Sequence, residues 1–178
     1  MKLFKTHLYA ILVVLLLILL IIFKPDIGMK ALDLSASNFM DMFSVLPPIM
    51  LLIGLLDVWI PKEVMIKYLG EKSGLKGIGI VFLLGALAAG PLYAAFPVAA
   101  ILLKKNARIA NVLFFLGVWS TAKLPLVMFE YTSFGGKFTV IHIVSNLTVF
   151  LIGAYALEKS LSPAKKEEIY RISSSMVN

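Results

Sequence analysis

Apolar residues gather along this chain in five long blocks separated by short polar stretches. The blocks cover 7–23, 38–60, 77–103, 107–131 and 137–157. As helices rising about 1.5 Å per residue, they are long enough to cross or enter a hydrocarbon layer of about 30 Å. Between the second and third, residues 61–70 read "PKEVMIKYLG", with Val64, Met65, Tyr68 and Leu69 on one helical face. Pro61 suits a helix start and Gly70 a stop, which predicts a short helix lying in the membrane interface. From 158 to 178 the pattern turns polar, giving a solvated tail helix capped by Ser162 before Pro163.

The pattern therefore predicts an all-α integral membrane protein, a single membrane domain with four to five transmembrane segments. Composition agrees: 60% of residues are hydrophobic and 15% charged, against about 45–50% and about 25% in soluble domains. The basic start and apolar run of the first block also fit a signal peptide. No small-x-small site follows Phe23 directly, and "SAS" at 35–37 lies too far on, so the block is expected to remain as a membrane helix.

Charge refines the topology. With five full crossings and a cytoplasmic N-terminus, seven Lys or Arg residues lie inside and nine outside, against the positive-inside rule. If block 77–103 instead enters and returns on the cytoplasmic side, Lys104, Lys105, Arg108 and the basic C-terminus move inside, and the tally becomes thirteen against three. The expectation is four crossings and one re-entrant hairpin in the cytoplasmic membrane, with both termini cytoplasmic. Dual topology, with copies inserted both ways, is the rival account of the balanced first tally.

The net charge of +7 does not imply nucleic acid as a partner, because the basic residues flank apolar runs where they set topology and meet anionic lipid. With no cysteine, disulfides and thiolate metal sites are excluded. His7 and His142 are the only histidines and neither belongs to a cluster, so no metal and no other cofactor is expected. No phosphate-binding GxxxxGK[ST] loop and no nucleophile–base pairing can be named, so the chain is not read as an enzyme.

The chemistry lies in the interrupted blocks. "GALAAGPLYAAFPVAA" places Gly90-Pro91, and then Pro97, inside an apolar segment. Proline removes a donor and frees a carbonyl, and such a break survives in hydrocarbon only where protein buries it or a wet cavity meets it. Gly85 and Ala89, like Ala86 and Gly90, are four apart and allow close helix approach. Tyr93 is placed to bring its hydroxyl near the turn. A merely kinked, packed helix would explain this block taken alone.

A second break, "WSTAKLP", sets Ser120, Thr121, Lys123 and Pro125 in the middle of the next span. Lysine at the bilayer centre costs about 2.5–3.5 kcal/mol on insertion scales, so it should face protein or water. Glu130, two turns on, is expected to pair with it. Asp41 and Asp57 read as solvated helix-end residues, and His142, near Ser145 and Asn146, as an interhelical hydrogen-bonding residue. Two broken segments in sequence point to a substrate pathway.

"YLGEKSGLKGI", followed by "GALAAGPLYAAFPVAAILLKKNARIANVLFFLGVWSTAKLPLVMFE", resembles the ArsP-type predicted permease family over roughly residues 40–155. The resemblance implies a multi-pass permease, with Gly90, Pro91, Pro97, Ser120, Thr121, Lys123 and Pro125 as pathway residues. Some members resemble organoarsenical exporters; lacking cysteine, this chain cannot bind such a substrate by thiolate. Full-length members resemble two repeats, which implies that this chain works as a dimer, with a second copy or a related half-length partner. The expectation is movement of a small polar or anionic solute. The alternative is an accessory or assembly subunit with no pathway of its own.

Overall fold

Prolines and glycines divide the chain into helices, because proline supplies no amide and glycine accepts backbone that other residues avoid. The structure, a computed structural model, describes residues 2–88 and 90–176. Its elements are α1 (Lys2–Phe23), α2 (Pro25–Trp59), α3 (Lys62–Leu69), α4 (Gly74–Ala86), a 3-10 turn (Leu92–Ala94), α5 (Ala95–Lys104), α6 (Ile109–Thr121), α7 (Leu124–Phe134), α8 (Gly136–Ser160) and α9 (Pro163–Met176). There is no strand among the described residues. They fall into two compact units, Met1–Pro47 and Pro48–Asn178.

In the first unit, α1 and α2 meet at a tight corner. The Gly28 amide bonds to the Lys24 carbonyl at 2.9 Å, and a Cβ on Gly28 would come within 2.5 Å of the Ile21 backbone. The second apolar block starts at 38, but α2 already begins at Pro25. Pro25 suits the first helical position and Asp26 in the first turn complements the helix dipole, so the polar stretch joins the helix.

The second unit is built around α6, whose residues are buried on almost every side: Ala110, Asn111, Phe115 and Val118 are each at most 1% exposed. Such burial all round identifies a central helix. α4 lies parallel to it. A Cβ on Gly77 would stand 2.8 Å from the Asn111 amide nitrogen, and one on Gly85 2.8 Å from Val118. α8 runs antiparallel, with Phe150 against Gly117 at the middle of α6 and Glu158 at its start.

α4 and α5 form a hairpin whose two ends meet. The Arg108 amide donates to the Leu69 carbonyl at 2.8 Å, and the Asn111 side-chain amide donates to the same oxygen at 2.9 Å and to Ser73 Oγ at 3.0 Å. Lys105 Nζ reaches back to the Ile60 carbonyl. Segment 70–108 thus departs from one end of the unit and returns to it. Pro97 does not interrupt this return: it lies in the first turn of α5, where its missing amide has no helical partner to lose.

α8 is long and apolar enough to cross a membrane by itself, and α6 and α7 pass the same test together, bent by 42°. Ile11–Phe23, Gly74–Ala86 and Leu92–Lys104 are shorter apolar helical stretches. α9 is more than a solvated tail. Ser162 Oγ accepts the Lys165 amide at 3.4 Å, the helix packs against α5, Ser173 is buried, and the Tyr170 hydroxyl donates to the Ala107 carbonyl at 3.2 Å.

Candidate functional site at two helix breaks

α4 stops at Ala86, and Gly90 turns the chain with φ of +104°, a backbone state that L side chains rarely adopt. Pro91 follows in extended backbone, φ −71° and ψ 163°, and feeds the 3-10 turn and α5. α6 stops at Thr121; Ala122 and Lys123 separate it from α7, which carries Pro125 in its first turn. Since α4 and α6 run side by side in one direction, their C-terminal ends arrive together and the two breaks meet.

The meeting point is a single oxygen. Lys123 Nζ donates to the Gly90 carbonyl at 2.8 Å, and Trp119 Nε1 donates to it at 3.3 Å. Phe115 packs edge-on against Trp119, ring centres 5.5 Å apart, and helps fix the indole. An unsatisfied buried carbonyl costs about 1–3 kcal/mol, so this pair of donors removes a penalty that the Gly-Pro break creates. The bond from an ammonium is charge-assisted and the stronger of the two.

The 3-10 turn leading into α5 and the first turn of α7 both begin at this point. Their first amides are largely taken up locally: Ala94 donates to the Pro91 carbonyl, and Leu126 and Val127 donate to that of Lys123. The Lys123 ammonium makes this a partly buried electropositive point, suited to a group rich in acceptor oxygens.

The other sequence-selected residues divide. Ser120 and Thr121 donate their hydroxyls back to the Gly117 carbonyl, at 2.8 and 2.9 Å, and neither reaches Gly90. Tyr93 lies on the 3-10 turn, exposed. Ala89, a partner in one close-approach pair, lies outside the described residues, whereas Gly85 does meet α6. Glu130 is buried, and its Oε2 lies 3.0 Å from Nδ1 of His142, which stacks on Phe138. The expected Lys123–Glu130 pairing gives way to these two separate contacts. Lys123 sits in extended backbone at the start of α7, φ −69° and ψ 142°, so the helical register that placed both residues on one face does not run through it.

Trp119 and Gly117 were not singled out from the sequence. Trp119 precedes Lys123 by four residues, and a buried indole N–H needs an acceptor; that requirement was the available signal. Two cavities lie at the opposite end of the unit, around Arg108. There Arg108 Nε donates to Glu158 Oε2 at 2.7 Å and the guanidinium covers the Tyr155 ring. Burial acts to lower the Arg108 pKa, but the hydrogen bond and charge of Glu158 outweigh it and leave it raised.

Compared with known proteins, the chain matches over residues 28–175 the family described as a predicted permease, ArsP_1. No curated protein and no solved structure shows detectable similarity to it.

Proposed function

We propose, for a chain that belongs to the ArsP-type predicted permease family, that it moves a small polar or anionic solute across the cytoplasmic membrane through the meeting point of its two helix breaks. One observation carries this reading: a lysine ammonium and an indole N–H converge on the Gly90 carbonyl, where two helix breaks meet. A solute offering oxygens would take over the Lys123 ammonium, and the freed carbonyl would keep Trp119. Pro91 and Pro125 hold the two turns, Pro97 starts the returning helix, and Tyr93 lies exposed on the 3-10 turn. Ser120 and Thr121 would turn their hydroxyls from Gly117 to the solute.

The reading takes α4 and α5 as a re-entrant hairpin entering from the cytoplasm, supported by the Leu69–Arg108 bond that joins its ends. Four other segments cross, and both termini are cytoplasmic. Two copies, or this chain and a related half-length subunit, would face their breaks toward each other. Glu130 with His142 supplies a carboxylate–imidazole pair for proton coupling; simple facilitation needs neither.

The test is transport of a panel of small anions by proteoliposomes of the purified chain. Lys123→Met abolishes movement and Lys123→Arg retains part of it. Undiminished transport by Lys123→Met removes this site from the mechanism. A second reading, an accessory or assembly subunit without a pathway, is favoured by the fact that Lys123 already satisfies Gly90. It predicts no transport by the chain alone, and a Lys123→Met variant that changes only stability or partner capture.

A further inference from the structure

The two cavities at the Arg108 end share Arg108 and Tyr155 and so form one groove with two unlike arms. One arm, about 600 Å³, runs between α4 and α8 and is walled by Leu75, Ile78, Leu151 and Ile152. The other, about 490 Å³, is bordered by Arg108, Glu158, Lys159 and Lys166. Glu158 is already held by Arg108 Nε and by the Ala110 amide at 3.2 Å. Glu71 is a second carboxylate whose charge reaches Arg108. Three cations against two carboxylates leave a positive excess, and it resides on two lysines at the mouth.

We infer that this groove is a binding site for an anionic phospholipid, its phosphate on Lys159, Lys166 and the outer edge of Arg108, its acyl chain along the apolar arm. The occupant follows from the two arms together. Free phosphate has nothing to place against Leu75 and Ile152, and a neutral amphiphile leaves the lysines uncompensated. The site sits where basic residues from α5, the 105–108 turn, α8 and α9 gather at one end of the bundle, the depth at which headgroups lie. The inference uses the membrane setting of the family and is independent of whether the Gly90–Lys123 site conducts.

The experiment titrates the detergent-solubilised full chain with phosphatidylglycerol, phosphatidylcholine or inorganic phosphate. Bound lipid is read by native mass spectrometry, and the thermal midpoint is followed in parallel. Phosphatidylglycerol is expected to remain bound and raise the midpoint, the other two not. Each lysine contributes about fivefold, so Lys159→Ala with Lys166→Ala weakens phosphatidylglycerol binding by about 25-fold. Ile152→Asn, in the apolar arm, weakens it with both lysines intact. Both lysine changes lie on or near the surface, so the variants keep the midpoint of the native chain in phosphatidylcholine. Equal retention of both lipids, a double variant that binds undiminished, or stabilisation by phosphate alone equal to that by lipid would each overturn the assignment.

Discussion

Glu158, at the end of α8, clamps the start of α6 by accepting Arg108 Nε at 2.7 Å and the Ala110 amide at 3.2 Å. The carboxylate is almost fully buried, its side chain 6% exposed against 24% for Arg108. It therefore acts at once as partner to a cation and as acceptor for an otherwise orphaned helix amide.

Removing it leaves both donors stranded. Glu158→Ala should lower stability by about 1–3 kcal/mol, below the range for fully buried pairs because water reaches Arg108. Glu158→Gln keeps an acceptor for Ala110 and should lose less. Thermal unfolding in detergent checks the order; equal midpoints for the native chain and Glu158→Ala would remove the clamp.

At the other end, Gly90→Ala puts a side chain on backbone with φ of +104°, a strain of about 1–3 kcal/mol. The turn relaxes and its carbonyl swings away from Trp119 and Lys123. In a Trp59→Phe background, fluorescence of the remaining Trp119 reports this directly, and its emission should shift as the indole loses its acceptor. An unchanged spectrum with unchanged stability would mean that the turn does not depend on glycine.

Tyr170 ties α9 to the turn before α6, and its pKa is raised above 10.0 by burial first and then by the charges of Glu158 and Glu71. The folded state thus holds the phenolic proton more tightly than the unfolded chain. Its stabilising contribution is complete below pH 10.0 and is lost as pH climbs through the raised folded value. Hydrogen exchange of α9 should accelerate in that alkaline window. Tyr170→Phe, which cannot ionise, should lack the step while showing weaker protection below it. An alkaline step retained in Tyr170→Phe would assign it to another group.

Much of this arrangement was legible in the residues. Gly90-Pro91 and "AKLP" both interrupt helices in the structure, although α2 runs on through Pro47-Pro48. The chain also returns after the first break, the Arg108 amide meeting the Leu69 carbonyl, and Lys104, Lys105 and Arg108 lie at that returning end. What escaped was side-chain direction across elements. Ser120 and Thr121 have a nearer acceptor in Gly117, one turn back, and local hydroxyl-to-carbonyl bonds win in an apolar setting. The Glu130–His142 contact crosses the turn at Gly135 from α7 to α8, which no periodicity within one helix encodes. Trp119 could be placed beside Gly90 only once α4 and α6 were known to run parallel, which the close contact at Gly85 makes possible.

α8 continues unbroken for 25 residues, about 37 Å, past the point where its neighbour splits into α6 and α7. It is fastened to the first piece at Gly117 and Glu158 and to the second through His142. It acts as a keel. Any opening of the joint at 122–123 must shear along this rod or tear one fastening loose, so the freedom of the joint is set by a helix that contains no break of its own.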